Sequence, residues 1–125
     1  MKTMMLKFCL QTVFIFFIVD CFGQPCECTS KEAKNHNNEF CVISGYITEA
    51  KCISNDFGKE VFLDVGGNFP DNDLSVVIRE KYFRNFSKAP DLLYKGKNVL
   101  IYGKIRMVKG KPVIVIKKES DIRIR

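Results

Sequence analysis

The sequence predicts an all-β domain. Five strands in Greek-key order curl into a small barrel, with one short helix between the third and fourth. Three observations carry this. After residue 39, short stretches rich in Val, Ile, Tyr and Phe alternate with clusters of Gly, Asn, Asp and Pro. Two of the stretches, Val42-Ile43-Ser44-Gly45-Tyr46-Ile47 and Leu100-Ile101-Tyr102-Gly103-Lys104-Ile105, hold a glycine at the same place. Glycine weakens a strand unless the strand must bend sharply or another backbone passes close, and a closed barrel needs such places. Between these stretches, Tyr82, Phe83 and Phe86 have the spacing of a short helix laid on a core.

The chain has 125 residues, 46% hydrophobic and 27% charged, with six cysteines and one histidine. That is one domain's worth of ordinary globular composition. It excludes a two-domain enzyme, a repeat array and a polytopic membrane protein. The first 23 residues read as an export signal. Lys2 and Lys7 precede an apolar run over Phe8–Val19, broken only by Gln11 and Thr12. The run is too short for a bilayer span of roughly 20 residues. Cys21-Phe22-Gly23 then supplies the small residues a signal peptidase needs, so cleavage is expected before Gln24. An uncleaved anchor and a lipidated Cys21 are the alternatives; Asp20 is a poor neighbour for lipidation.

Residues 24–39 read as a polar arm holding Cys26, Cys28 and a turn or two of helix begun at Ser30 and ended by Asn37-Asn38. The barrel takes residues 40–125. Its strands are expected at Phe40–Glu49, Glu60–Val65, Leu74–Arg79, Asn98–Val108 and Pro112–Lys117, with a short last strand at Asp121–Arg125. Lys51–Lys59 reads as a loop, Asn68–Asp73 as a turn, Lys81–Ser87 as the helix ended by Pro90, and Lys109-Gly110 as a hairpin turn. In an exported chain, Cys26, Cys28, Cys41 and Cys52 suggest disulfides. Cys26–Cys28 would close too tight a ring. Cys41 and Cys52 are separated by extended chain of roughly 36 Å, so they meet only if the chain doubles back. The expected arrangement staples the Cys26/Cys28 arm to Cys41 and Cys52, with the pairing order open. The Cys-x-Cys spacing lacks the gap of a zinc knuckle, even with His36 added, and no metal or cofactor is expected.

Five strands, two mid-strand glycines and a helix after the third strand match the oligonucleotide/oligosaccharide-binding (OB) barrel. An SH3-like barrel would not have that helix. The chain also resembles a family of small exported bacterial OB-fold proteins and the OB cores related to thermonucleases. The likeness lies in Val61-Phe62-Leu63-Asp64-Val65-Gly66, Phe69-Pro70-Asp71-Asn72, Leu74-Ser75-Val76-Val77-Ile78, Phe86, Tyr94-Lys95-Gly96-Lys97-Asn98-Val99, Gly103-Lys104-Ile105 and Gly110-Lys111-Pro112-Val113-Ile114. It spans roughly residues 29–124. It implies the OB fold and, by analogy of fold alone, nucleic-acid binding. The Phe-Gly site followed by Gln24 resembles those of Bacteroidota-type bacteria.

No catalytic residue carries over. Thermonuclease chemistry needs carboxylates on a calcium ion, a glutamate acting through water and two arginines on the phosphate. Asp64, Asp71 and Asp73, with Arg79, Arg84 and Arg106, are the available groups, but no glutamate and arginine have the catalytic spacing. Pro70-Asp71-Asn72-Asp73 reads as a turn. His36, the only histidine, sits in the polar arm, so Ser/His or Cys/His catalysis lacks a supported base. The chain is therefore expected to be no enzyme.

Charge favours a binding role. Residues 24–78 carry four basic and nine acidic side chains, residues 79–125 fourteen and four. That split suits a polyanion at the positive end, although lysines on exposed strands also serve solubility. OB barrels bind across strands two and three, between the loops after strands one and four. Alternation along strand four puts Val99, Ile101, Ile105 and Met107 on one face and Tyr102, Lys104 and Arg106 on the other. The candidate ligand residues are Phe57, Arg79, Tyr102, Lys104, Arg106, Lys109 and Lys111. An aromatic flanked by cations can stack a base and neutralise phosphates. Phe62 is expected in the core. The expected partner is single-stranded nucleic acid or another polyanion, met in the periplasm or outside the cell. The alternatives are an envelope protein partner and a degenerate nuclease.

Overall fold

The computed structural model describes residues 24–125, so the expected export signal, with Cys9 and Cys21, lies outside the described residues. Among the described residues, no helix is long and apolar enough to cross a membrane. Eight strands form one curled sheet: β1 (Cys26–Thr29), β2 (Phe40–Asn55), β3 (Gly58–Val65), β4 (Leu74–Arg79), β5 (Asn98–Lys104), β6 (Arg106–Val108), β7 (Lys111–Val115) and β8 (Ile122–Ile124). The order is β6-β7-β4-β3-β2-β5-β8, with β1 added in parallel to β2.

Five strands were expected and eight are present, for two reasons. The predicted fourth strand divides at Ile105. Up to that residue the chain pairs with β2: the Ile105 N–H donates to the Glu39 carbonyl at 3.0 Å, and the Ile105 carbonyl accepts from Asn38 at 2.7 Å. From Arg106 onward it pairs with β7 instead, Arg106 opposite Val113 and Val108 opposite Lys111. Only Ile105 separates strands near the two ends of the sheet path, so the sheet curls back on itself there. The other additions are β1, in the segment expected to be a polar arm, and β8, the short last strand expected at 121–125.

Strand β2 is longer than expected. The predicted loop Lys51–Lys59 is mostly strand, with Lys51 opposite Phe62, Cys52 opposite Val61 and Asn55 opposite Gly58. Cross-strand pairing overrides the polar composition there. The turn itself is short: Asn55 Oδ1 accepts the Phe57 N–H at 2.8 Å, and Gly58 takes φ +114°. A register shift between Ile47 and Glu49 bends β2 between its partners β5 and β3. The Lys109-Gly110 hairpin is as expected, both residues at positive φ.

The core follows the twofold period of the strands. Val61, Leu63 and Val65 of β3, Leu74, Val76 and Ile78 of β4, Val99 and Ile101 of β5, and Ile114 of β7 are buried. Both singled-out glycines lie on this inner face, in register between Cys41, Ile43 and Ile47 and between Ile101 and Ile105. A Cβ on Gly103 would stand 2.6 Å from Cγ2 of Ile114, and one on Gly45 would collide with Cγ1 of Val65. A side chain, rather than a backbone, is what approaches.

The predicted helix at Lys81–Ser87 is instead a 3₁₀ turn over Glu80–Asn85. The short α-helix α1 is Pro90–Leu93. Pro90 opens this helix instead of ending one, since proline at the first helical position gives up no hydrogen bond. Phe86 and Tyr94 meet edge to face at 6.5 Å over the core. The buried Tyr94 hydroxyl has no hydrogen-bond partner among the described residues, and burial, helped by Glu119, pushes its pKa up to about 12. In the N-terminal segment, Thr29 rather than Ser30 starts the turn, a 3₁₀ segment over Ser30–Asn35. The Glu32 carboxylate accepts both the N–H and the hydroxyl of Thr29 at 2.9 Å, and those bonds hold it below the usual carboxylate range. Ser30 is buried and donates to Asp73 Oδ2 at 3.0 Å.

The cysteines settle the open pairing in part. Cys26 and Cys41 are bonded, with Cα atoms 4.3 Å apart, because β1 lies in register beside β2. Among the described residues Cys28 and Cys52 are not bonded, contrary to expectation: the β2–β3 hairpin carries Cys52 away, and it is exposed. Cys28 is a buried free thiol whose titration is pushed up by burial and then by Glu32 and Glu39. Maleimide at neutral pH is expected to modify Cys52 at least about tenfold faster than Cys28. Peptide mass mapping over time checks this; equal rates would contradict the burial of Cys28.

Candidate functional site

The outer face of the sheet is built by register. Residues opposite each other in neighbouring strands project to the same side. Lys51 faces Phe62, which faces Val77; Glu49 faces Asp64, which faces Ser75; and Ser75 faces Val113 of β7. Of these, Lys51, Phe62, Val77, Asp64, Ser75 and Val113 line a groove of about 620 Å³. The loop residues Phe69 and Pro70, and Val108, Lys109 and Lys111 of the β6–β7 hairpin, complete its lining.

The lining is mainly apolar, with cations around it. Phe62 lies here, half-buried, and not in the core as expected; Val61, Leu63 and Val65 take the inward positions instead. The signal was in the sequence: Phe62 shares the parity of Glu60 and Asp64. Phe69 is 62% exposed, and Lys111 Nζ lies 5.6 Å from the centre of its ring. Among the described residues, Lys51, Lys109 and Lys111 make no ion pair.

The expected ligand residues separate into groups. Lys109 and Lys111 line the groove. Arg106 stands opposite the groove residue Val113, and Arg79 lies on the same face at the end of β4, opposite Glu60. Tyr102 and Lys104 lie elsewhere. Tyr102 stacks on Phe40 with ring centres 6.1 Å apart, and Lys104 Nζ is 5.9 Å from the Phe40 ring. Phe57 is 98% exposed at the tip of the β2–β3 hairpin and is absent from the groove lining. Sequence reasoning missed Lys51, Ile53, Phe62, Phe69 and Val108 as lining residues. Lys51 and Ile53 were hidden by the loop reading of that segment.

The carboxylates considered for calcium do not gather. Asp73 accepts from Ser30, and Asp64 Oδ2 accepts the Phe69 N–H at 3.2 Å. The Asn68–Asp73 segment is the expected turn: Asp71 N–H bonds the Asn68 carbonyl, and the Asn72 amide donates to the Leu74 carbonyl and to Ser75 Oγ, both at 2.8 Å. Among the described residues, the groups spaced to share an ion are Cys26, Cys28 and Cys41, and His36, Glu39 and Cys41. The Cys26–Cys41 bond takes two of those thiols out of metal chemistry, and His36 Nδ1 is held by Glu39 Oε2 at 2.6 Å.

No protein-family model matches the chain, and no curated protein matches it. Solved structures do. The crystal structure of yeast Stn1 and Ten1 superposes with a TM-score of 0.57 at 8% identity, over 83% of this chain and 64% of that one. A putative aspartyl-tRNA synthetase from Leishmania major Friedlin superposes with a TM-score of 0.52 at 10% identity, over 82% of this chain and 21% of that one. The chain thus spans less than two thirds of either neighbour. At these identities the likeness is one of fold. Together with the three-strand meander β2-β3-β4, the parallel β4–β7 pair and the switch at Ile105, it identifies an OB-type fold.

Proposed function

We propose that this chain is a non-enzymatic OB binding module that takes a single-stranded nucleic acid, or another extended polyanion, along the β3–β4 groove. The observation that carries the reading is the groove itself: two phenylalanines in an apolar lining with three lysines that make no ion pair among the described residues. Aromatic faces stack bases of any sequence, and lysines neutralise the backbone. The fold supports the reading by its usual binding face, and one structural neighbour is by its name a tRNA synthetase. Action outside the cytoplasm is part of the proposal. It is supported by the apolar run at Phe8–Val19 and by the Cys26–Cys41 bond.

The test is a salt titration of binding to a 12-nucleotide single strand of mixed sequence. Three phosphate contacts predict that log affinity falls with log salt at a slope of about −2. Binding that ignores salt, or no binding at low salt, overturns the proposal. A second reading, a protein-interaction module of the cell envelope, is favoured by the exposed Phe40–Tyr102 stack and by the free edge of β1. It predicts a co-purifying protein and no retention on a nucleic-acid column.

A further inference from the structure

Asp64 is the anomaly of the groove. Its residue is only 3% exposed, yet it lines the cavity. The neighbouring Glu49 is paired with Lys95 at 3.0 Å, whereas Asp64 has no cation among the described residues. Its one side-chain bond is from the Phe69 N–H to Oδ2. A carboxylate accepts at about four positions, and Asp64 is not among the buried groups left without a partner, so its remaining capacity is open to solvent on the groove side. A ligand that supplied donors there would exchange water for charge-assisted hydrogen bonds, which are the stronger kind.

The charge layout says which part of a ligand meets it. The lysines of the lining come from β2 (Lys51) and from the β6–β7 hairpin (Lys109, Lys111), and phosphates would be attracted to them. Asp64 would repel a phosphate, so the group above it must be a donor. Phe62, two residues away on the same face, and Phe69, bonded to Asp64 through its N–H, supply flat apolar surfaces beside it. A base stacked there presents its hydrogen-bonding edge to the carboxylate. Guanine offers two adjacent donors, N1–H and the N2 amino group, which match the two oxygens of a carboxylate. Adenine and cytosine offer one amino donor beside a ring-nitrogen acceptor. Thymine and uracil offer one N–H between two carbonyls. In each of these an acceptor would face the carboxylate.

We propose that Asp64 is a specificity residue that selects guanine in the groove. The inference rests on the nucleic-acid reading of the same site. The test compares four 12-nucleotide strands at low salt: oligothymidine with guanine, hypoxanthine, adenine or cytosine at every fourth position, a spacing that leaves none of them self-complementary. The guanine strand is expected to bind at least about tenfold more tightly than the hypoxanthine strand, which lacks only the N2 amino group. In Asp64→Asn that preference falls below about threefold, while affinity for the adenine strand is kept or improved because a repulsive charge is gone. Retained binding of the adenine strand also reports that the variant is folded. The hypoxanthine comparison needs no variant at all. Equal, salt-sensitive binding of all four strands overturns the guanine proposal and leaves the binding module standing. Salt-sensitive binding of none overturns both.

Discussion

Changing Lys51, Lys109 and Lys111 together to Glu is expected to weaken single-strand binding at least about a hundredfold at low salt. Each reversal exchanges an attraction for a repulsion worth about 1 kcal/mol per contact near water, so three reversals amount to several kcal/mol. All three side chains lie at the groove surface and make no ion pair among the described residues, so the fold loses little. The salt slope should collapse with the affinity. The informative comparison is Lys104→Glu. Lys104 belongs to the Phe40–Tyr102 patch, outside the groove lining, and its reversal should change affinity by less than about threefold. Fluorescence anisotropy with a labelled strand measures both. If Lys104→Glu is as damaging as the triple reversal, the ligand runs over the Tyr102 face and the groove assignment fails.

The second large effect concerns the curl of the sheet. Gly103→Val is expected to prevent stable folding, and Gly103→Ala to lower the melting temperature by about 10 °C. Gly103 lies on the inner face of β5, and an added Cβ would meet Cγ2 of the buried Ile114 at 2.6 Å. Ile114 is fixed in the core by the β4–β7 pairing, in which it stands opposite Val76. Overpacking of this kind costs about 1–3 kcal/mol for one methyl group, against a total stability of roughly 5–15 kcal/mol for a domain. The double variant is the sharper test. Ile114→Ala alone opens a cavity, yet combined with Gly103→Ala it removes the clash, so the pair should lose less stability than the two single changes added together. Strict additivity in thermal melts would show that Gly103 is required for another reason.

The OB fold was legible from a few residues with local meaning. Val61, Leu63 and Val65 against Glu60, Phe62 and Asp64 give the period of two. Lys109-Gly110 gives the hairpin, and Gly45 and Gly103 mark where the walls come together. The groove was legible only in pieces. Lys109 and Lys111 were found from loop position, whereas Tyr102 and Lys104 were joined to them by alternation along one apparent strand. That strand exchanges partners at Ile105, and alternation carries no record of a change of partner.

What the sequence determined by itself was therefore the direction of most side chains, because facing in or out depends on the chain's own geometry and its apolar pattern. Tertiary structure alone decided which residues meet: that Cys26 bonds Cys41 while Cys52 stays unbonded among the described residues, that Lys51 is on a strand, that the 24–39 segment contributes β1, and that Asp64 lines one groove with two phenylalanines and three lysines. Such meetings depend on register between segments distant in the chain, which is fixed by the fit of the whole core and is written in no single stretch of it.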